Sequence, residues 1–268
     1  MARIPLAIAG AAGRMGRELV RAIAASDDLA LAGGTERAGA SELGQDAGAI
    51  AGAGNLGAAL TSDVAAAAAN AQGWIDFTTP SATIASLEAL PAATRFAIIG
   101  TTGLDDAAEA KIKAASQRIA IVRDRNFSLG VNLIAALVKQ AAAKLGPEWD
   151  IEIIEAHHRR KVDAPSGTAL MLGEAAADGR GVSLPQMRLA PRDGMPGARP
   201  EGGIGFAVVR GGGIVGKHEV QFVAENEIVQ ISHEAMDRGL FVRGALAAAR
   251  WAADKPPGFY VMRDVLGF

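Results

Sequence analysis

Short apolar runs, each followed by a helical pattern, dominate the first half of the chain. The runs lie at residues 4–9, 29–35, 73–77, 95–99 and 119–122. Each is bounded by glycine, proline or polar residues, which is typical of buried strands. Between the first two runs, Met15, Leu19 and Ile23 recur every four residues and define one apolar face of a helix. This alternation predicts an α/β fold with an N-terminal Rossmann-type, doubly wound parallel sheet.

The pattern changes in the second half. It predicts a long apolar helix over residues 131–145, a buried strand over 149–154 and a long loop rich in proline and glycine over 185–203. Strands at residues 204–210, 215–224 and 228–233 follow without helices between them, and a last helix is predicted over 241–253. These elements predict a C-terminal α+β domain with a mixed or antiparallel sheet, one face of which often pairs with another subunit.

Length and composition narrow the class of protein. The 268 residues are enough for two domains, and half of them are hydrophobic. The formal net charge of −2 does not point to a nucleic-acid partner. Because there is no cysteine, disulfides and thiol chemistry are excluded, which fits a cytoplasmic protein. The start of the chain is not expected to be a signal peptide because Gly10 and Gly13 break its apolar run, and no apolar run is long enough to span a membrane.

Three glycines, Gly10, Gly13 and Gly16, separate the first strand from the first helix, which is the dinucleotide-binding arrangement. Their first gap is one residue longer than usual, and a tight turn without a ligand is the alternative. Glu36 follows the second strand, twenty residues after Gly16, where a ribose-binding carboxylate is expected. Arg37 and Arg14 could accommodate the extra phosphate of NADP, although Arg37 could equally be a surface charge. We therefore expect either NAD or NADP.

Polar residues follow three further strands of the predicted sheet. They are Thr78, Gly100-Thr101-Thr102 and Asn126-Phe127. Because parallel strands end at one edge, these residues are candidates for further cofactor contacts. Ordinary turn residues are the alternative.

Residues 155–169 combine the groups most suited to chemistry. His157 or His158 could act as a general acid near neutral pH, and Lys161 supplies a cation that can lose a proton when desolvated. Residues 165–168, Pro-Ser-Gly-Thr, predict a helix start whose capping hydroxyl and free N–H groups attract a carboxylate or phosphate. The titratable groups are expected just past the end of the preceding strand. A basic, solvated loop is the alternative.

The residues leave open classes of function other than a dinucleotide-dependent enzyme with a proton donor. A metal-dependent hydrolase could use His157, His158, His218 and His233, but no His-x-x-x-His spacing and no cysteine support it. A non-catalytic dinucleotide sensor would have no need of a proton donor. Among NAD(P)-dependent reductases of this two-domain architecture, only the motif at residues 155–169 would distinguish one from another.

These motifs together resemble the dihydrodipicolinate reductase family, whose members are also named 4-hydroxy-tetrahydrodipicolinate reductase. The most specific match is Glu155-Ala156-His157-His158-Arg159-x-Lys161-x-Asp163-Ala164-Pro165-Ser166-Gly167-Thr168-Ala169. Further matches are residues 10–16, Asp76-Phe77-Thr78, Gly100-Thr101-Thr102-Gly103, residues 126–132 and Met262-Arg263-Asp264-Val265-Leu266. The resemblance covers nearly the whole chain.

The resemblance implies an enzyme that reduces 4-hydroxy-tetrahydrodipicolinate (dihydrodipicolinate) to tetrahydrodipicolinate with NADH or NADPH and loss of water, in lysine biosynthesis by the diaminopimelate pathway. It implies that His157 and Lys161 are catalytic and that His158, Gly167 and Thr168 bind substrate. The implied cofactor contacts are Gly10, Ala11, Ala12, Gly13, Arg14, Met15, Glu36, Arg37, Gly100, Thr101, Thr102, Asp124, Arg125, Asn126 and Phe127. Two departures from the family pattern are Asp124-Arg125, where small residues are common, and Thr79, where some members have arginine.

The resemblance also implies the organisation of the chain. Residues 1–128 would bind the dinucleotide, residues 129–238 would bind substrate and join a homotetramer through their sheet, and residues 239–268 would return to the dinucleotide-binding domain. Placing cofactor and substrate in different domains predicts closure about residues 128–130 and 237–239. No resident metal is expected, and the expected partner is a small cyclic dicarboxylate rather than a nucleic acid or a membrane.

Overall fold

The structure, a computed structural model, describes residues 3–268, so the first two residues of the predicted 1–128 domain lie outside it. The chain divides into two compact units. The first contains the chain through Phe127 together with Gly239–Phe268, and the second is Ser128–Arg238. None of the helices between residues 3 and 268 is both long and apolar enough to cross a bilayer.

The first unit is built on a seven-stranded sheet. Its strands are β1 Ile4–Ile8, β2 Leu29–Thr35, β3 Leu60–Thr61, β4 Gly73–Asp76, β5 Phe96–Ile99, β6 Ala120–Arg123 and β11 Gly258–Tyr260. They are all parallel, in the order β11-β6-β5-β4-β1-β2-β3. Every residue of β4, β5 and β6 is buried, as expected when helices cover both faces of a parallel sheet. The predicted Rossmann-type sheet is therefore confirmed.

Seven helices accompany this sheet within the described residues. They are α1 Arg14–Ala24, α2 Ala47–Ala51, α3 Val64–Ala68, α4 Pro80–Ala89, α5 Asp106–Ala115, α9 Gly239–Ala252 and α10 Met262–Leu266. The strand order reverses direction at β1, which lies between β4 and β2. In open α/β sheets the crevice beyond the carboxyl ends of such strands is where ligands bind.

The second unit has a four-stranded mixed sheet. Its elements are α6 Leu129–Lys144, β7 Asp150–His157, α7 Gly167–Gly179, α8 Leu184–Met187, β8 Ile204–Arg210, β9 Gly216–Val223 and β10 Ile228–Ala235. The strand order is β10-β9-β7-β8, with β8 parallel to β7 and β9 antiparallel to both β7 and β10. This confirms the predicted mixed sheet. Val138 of α6 and Leu172 of α7 share a buried core with Ile151, Ile153 and Phe222 of the sheet.

Among the predicted boundaries that differ from the structure in this unit, those of the strand before the motif and of the long loop differ most. The strand predicted to end at Ile154 continues to His157, because residues 155–157 keep pairing with β8. Glu155 and His157 therefore lie on the strand, and His158 and Lys161 follow it. The predicted loop over residues 185–203 begins inside α8. Beyond α8, Arg199 fixes the loop through Asp150, Glu152 and the carbonyl oxygen of Ile151.

Candidate active site

The glycine turn after β1 brings the backbone of α1 close to the backbone of the turn itself. Gly10 has φ +62°, a conformation that side chains disfavour, and a Cβ there would lie 3.0 Å from Cγ2 of Thr78. A Cβ on Gly16 would lie 2.2 Å from the carbonyl oxygen of Gly10, so α1 can approach the turn only with glycine at this position. Gly13 is the N-cap of α1, and no side chain between residues 3 and 268 caps this helix. The first N–H groups of α1 are thus available to an anion.

The candidate residues for the adenosine end of a dinucleotide lie beside this turn. Glu36 directly follows β2, and its Oε1 is 3.7 Å from the position that a Cβ on Gly10 would take. Arg14 opens α1 and Arg37 follows Glu36, and both are exposed. The structure therefore places the carboxylate of Glu36 at the turn and an exposed arginine at the start of α1.

A cavity of about 270 Å³ lies at the carboxyl ends of β4, β5 and β6. Its lining residues are Met15, Phe77, Thr78, Gly100, Thr101, Thr102, Arg125, Asn126, Phe127 and Phe241. The buried Asp76 shapes this wall, because its Oδ1 accepts hydrogen bonds from Thr78 N, Thr78 Oγ1 and Thr101 Oγ1 at 2.9, 2.6 and 3.2 Å. The cavity and the uncapped glycine turn both belong to the first unit, and together they fit a dinucleotide.

Asp124 takes a different place from the other predicted cofactor residues. It does not line this cavity; its carboxylate accepts hydrogen bonds from the N–H groups of Arg125, Asn126 and Met262, at 2.7, 3.3 and 3.0 Å. Burial raises the pKa of Asp124, and these N–H groups partly oppose that effect. Asp124 therefore ties the loop after β6 to the start of α10. The sequence did not reveal this contact, because 138 residues separate its partners.

In the second unit, the centre of the candidate site is a buried carboxylate. Glu155 Oε2 lies 2.6 Å from Nδ1 of His157 and 2.7 Å from Nη1 of Arg210. Its Oε1 accepts hydrogen bonds from Nη2 of Arg210 at 2.7 Å and from the N–H of Ser166 at 3.0 Å. Burial alone would raise the pKa of Glu155, but the bonds from Arg210, His157 and Ser166 hold it below its ordinary value. Glu155 is therefore ionised, and its two oxygens accept four hydrogen bonds from His157, Arg210 and Ser166.

This carboxylate determines which nitrogen of His157 is available. Because ionised Glu155 can only accept hydrogen bonds, Nδ1 of His157 must carry a proton and donate a hydrogen bond to it. The other nitrogen, Nε2, faces Gly216 of β9, where a Cβ would lie 3.1 Å away. The ring of His218 packs edge-on against that of His157, with centroids 5.0 Å apart. Nε2 is thus the atom of His157 that can exchange a proton with a ligand.

The loop after β7 carries the other candidates. Lys161 Nζ pairs with Asp163 Oδ2 at 2.9 Å, and this bond lowers the pKa of Asp163. The backbone N–H of Lys161 donates to the carbonyl oxygen of His158 at 3.1 Å. Nδ1 of His158 is buried without a hydrogen-bond partner among the described residues. The loop thus presents a partly exposed ammonium, held by a carboxylate next to it.

The N-terminus of α7 completes the arrangement. Ser166 is the N-cap, and its Oγ accepts from the N–H of Ala169 at 3.1 Å, which confirms the predicted cap. Gly167 is exposed, and a Cβ there would meet no atom of the described residues within 4 Å. The start of α7 at Gly167 therefore borders open space, and the positive end of the helix dipole would favour a carboxylate there.

His218 supports this helix start from β9. Its Nε2 lies 2.9 Å from Oγ of Ser166, and burial first, with the nearby His157 second, lowers the pKa of His218 to about 4. His218 is therefore neutral at physiological pH. The alternative of a metal centre gains nothing from this geometry, since no three His, Asp or Glu side chains in residues 3–268 form a possible metal site.

The sequence interpretation missed several supporting residues. Glu155 could have been found, since it lies two residues before His157 and therefore on the same strand face. Arg210, Gly216 and His218 come from strands β8 and β9, far along the sequence, and only the pairing of β7 with these strands brings them here. Phe241 reaches the cavity of the first unit from α9, which no local pattern indicates.

A parallel sheet with a glycine turn before its first helix, joined to a separate unit with an acid–base pair, defines the class of dinucleotide-dependent oxidoreductases. Two family models, described as "Dihydrodipicolinate reductase, N-terminus" and "Dihydrodipicolinate reductase, C-terminus", match residues 4–127 and 130–266. The chain therefore belongs to the dihydrodipicolinate reductase family.

Individual relatives agree with this membership. The chain is 53% identical to a protein of Parvibaculum lavamentivorans named 4-hydroxy-tetrahydrodipicolinate reductase, over 99% of this chain and 98% of the relative. It is 51% identical to a protein of Methylocella silvestris with the same name, over 100% and 98%. Among solved structures, a dipicolinate-bound dihydrodipicolinate reductase from Paenisporosarcina sp. TG-14 has a TM-score of 0.75, with 22% identity and 97% of both chains covered, and so shares the fold.

Proposed function

We propose that this chain reduces 4-hydroxy-tetrahydrodipicolinate to tetrahydrodipicolinate with NADH or NADPH and loss of water, in lysine biosynthesis by the diaminopimelate pathway. The observation that carries the proposal is the Glu155–His157 pair beside the N-terminus of α7, in a chain of this family. When bound, the reduced nicotinamide supplies a hydride. The residues of the chain must then bind a dianion and manage a proton.

The N-terminus of α7 is suited to hold one substrate carboxylate. The N–H groups of Gly167 and Thr168 lie in its first turn, and the helix dipole adds positive potential there. Lys161 supplies a full positive charge from the preceding loop, and His158 is a further candidate contact. A dianionic ring would thus meet backbone donors and an ammonium in the same unit.

The proton is the second requirement. A hydride arriving at a ring carbon pushes negative charge onto ring atoms, which then take up a proton. Nε2 of His157 is the atom that would exchange it, since Glu155 engages Nδ1. Nε2 accepts a proton when the ring is neutral and donates one when both ring nitrogens carry protons. Lys161 is the second candidate donor, released from Asp163 when it turns to the substrate. Both groups therefore act as catalytic residues in this proposal.

We further propose that both dinucleotides are accepted. Glu36 would bind the ribose hydroxyls of NADH, which favours the form without a 2′-phosphate. Arg14 opens α1 and Arg37 follows Glu36, and these two exposed cations would pair with the 2′-phosphate of NADPH. Beyond the turn, the predicted residues that line the cavity would contact the rest of the dinucleotide. They are Met15, Gly100, Thr101, Thr102, Arg125, Asn126 and Phe127.

We propose that the chain forms a homotetramer and that it acts in the cytoplasm. α6 and α7 pack on one face of the mixed sheet, and strand alternation directs Ile154, Val209 and Ile228 to the other. Val209 is 50% exposed and Ile228 57% exposed, which is unusual for two large apolar side chains on one sheet face. Sedimentation equilibrium should detect a tetramer, and Ile228→Glu should give smaller species; a monomeric wild-type protein would contradict the proposal.

A coupled assay tests the activity. Pyruvate and aspartate semialdehyde are condensed by the preceding enzyme of the pathway, and oxidation of NADH or NADPH is followed by absorbance after the chain is added. We expect oxidation that requires both carbon substrates and that His157→Ala abolishes almost completely. Dinucleotide binding by calorimetry without any turnover would instead favour a non-catalytic sensor.

A further inference from the structure

We propose that Arg210 is a positioning residue: through Glu155 and through the carbonyl oxygen of Asp163, its guanidinium holds both His157 and the loop of Lys161 in place. The inference rests on the proposed function, because it assigns the support of the two residues that would handle the proton. Arg210 itself is not placed against the substrate.

The pairing of two strands brings the guanidinium to the carboxylate. Arg210 is the last residue of β8 and pairs in register with His157, the last residue of β7. Nη1 and Nη2 of Arg210 each lie 2.7 Å from a different oxygen of Glu155. This two-pronged geometry fixes the plane of the carboxylate, which a single hydrogen bond would leave free to rotate. The orientation of Glu155 in turn fixes the ring of His157.

The same guanidinium also reaches the loop. Nη2 of Arg210 donates a third hydrogen bond, of 2.7 Å, to the carbonyl oxygen of Asp163. The side chain of Asp163 holds the ammonium of Lys161. The turn after β8 adds a second attachment, because Gly211 N donates to the carbonyl oxygen of His157 at 2.9 Å. Arg210 is therefore the side chain that links the supports of His157 and Lys161.

An ammonium could not replace this arrangement. Glu155 has no exposed side-chain surface, so removing the guanidinium would leave a buried carboxylate with only His157 and the Ser166 N–H as donors. Burial then favours the protonated acid. A protonated Glu155 can donate to His157 instead of accepting, so the proton of the neutral imidazole would move from Nδ1 to Nε2. Lysine offers one point charge and cannot form the two parallel bonds and the carbonyl bond together.

Arg210→Ala and Arg210→Lys test the inference in two ways. The first is turnover with and without added guanidinium salt, at concentrations well below those that unfold the protein. We expect kcat to fall about 10²-fold in Arg210→Ala and about tenfold or more in Arg210→Lys, with guanidinium restoring part of the loss only in the alanine variant. Arg250→Ala is the matched control, because Arg250 binds Asp28 through two nitrogens at 2.7 and 2.9 Å in the first unit, and its kcat should stay within about twofold.

The second readout needs no substrate. Nitrogen-15 NMR of the histidine side chains reports whether the neutral His157 ring carries its proton on Nδ1 or Nε2. We expect Nδ1 in the wild-type protein and a shift towards Nε2 in both variants. If Arg210→Ala does not fold, Arg210→Lys decides by the same measurement.

A folded variant with wild-type kcat and an unchanged His157 tautomer overturns the inference. So does a loss of activity that guanidinium does not reverse while the tautomer stays on Nδ1, since that is the result of a merely structural residue. If the wild-type protein does not turn over the substrate, the proposed function fails, but the tautomer comparison still decides the role of Arg210.

Discussion

Nε2 of His157 faces the missing side chain of Gly216 on the neighbouring strand. A Cβ at Gly216 would lie 3.1 Å from Nε2 of His157 and 3.8 Å from Cε1 of His218. The absence of a side chain therefore keeps open the side of the ring from which a proton would be exchanged.

Gly216→Ala should reduce kcat about tenfold or more, because its methyl group occupies the space in front of Nε2 without changing any charge. Steady-state kinetics with saturating dinucleotide measures the effect. Gly213→Ala is the control, since a Cβ there would meet no atom within 4 Å in the part of the chain that the structure describes. Equal kcat values for the two variants would contradict the assignment of Nε2.

His157→Ala should lower kcat about 10²- to 10⁴-fold, the usual loss when a positioned acid is removed, and should change KM far less. His158→Ala should act in the opposite sense, mainly raising KM, because His158 is proposed to contact the substrate and not to transfer its proton. Initial rates of both variants over a range of substrate concentrations separate the two effects. A wild-type kcat in His157→Ala would remove this residue from the mechanism.

His218 should make the stability of the protein depend on pH. Its pKa falls from 6.5 in the unfolded chain to about 4 in the folded one, so between these values the unfolded state binds more protons. The free energy of unfolding therefore decreases as the pH falls through this window. His218→Gln keeps a hydrogen-bonding group but does not titrate, so between about pH 7 and pH 5 its stability should fall by roughly 2 kcal/mol less than that of the wild type.

Urea unfolding at several pH values measures this difference directly. Other groups, including Glu155 with its lowered pKa, titrate in both proteins, so their contributions to the free energy of unfolding cancel in the comparison. Parallel curves for wild type and His218→Gln would show that His218 keeps an ordinary pKa.

Glu36→Gln should shift the dinucleotide preference towards NADPH. The carboxylate would otherwise repel a 2′-phosphate and bind the ribose hydroxyls, and the loss of a charged hydrogen bond corresponds to about a tenfold change in relative affinity. The ratio of kcat/KM for NADH and NADPH is the measurement. Arg37→Ala should move the same ratio the other way. An unaltered ratio in Glu36→Gln would show that this residue does not contact the ribose.

The sequence predicted the parts of the fold that local patterns encode. Strand β2 and strand β8 have the predicted bounds, because apolar runs and flanking turn residues mark both ends. Strands β3 and β11 were not predicted, since two or three residues are too few to show a period. β11 also depends on β6, which lies far away in the sequence.

The candidate site was predictable to the same extent. The motif at residues 155–169 identified His157, Lys161 and the cap at Ser166 as candidates, because their chemistry is visible in the residue types. The network around Glu155 was not visible, since a carboxylate at a buried strand position contradicts the apolar pattern unless Arg210 is known to be its neighbour. Likewise, an aspartate after a strand is typical of the protein surface, and the sequence does not show that Asp124 accepts a hydrogen bond from the distant Met262 N.

The pairing of β11 with β6 has a consequence for how the protein is made. The second unit is inserted between these strands, so a ribosome must translate all of residues 128–238 before the strand that covers β6 exists. During that interval the edge of β6 offers unpaired N–H and C=O groups to other nascent chains. We expect chains stalled before Gly258 to be cleaved by protease in the first unit and to aggregate, while the inserted unit is already resistant.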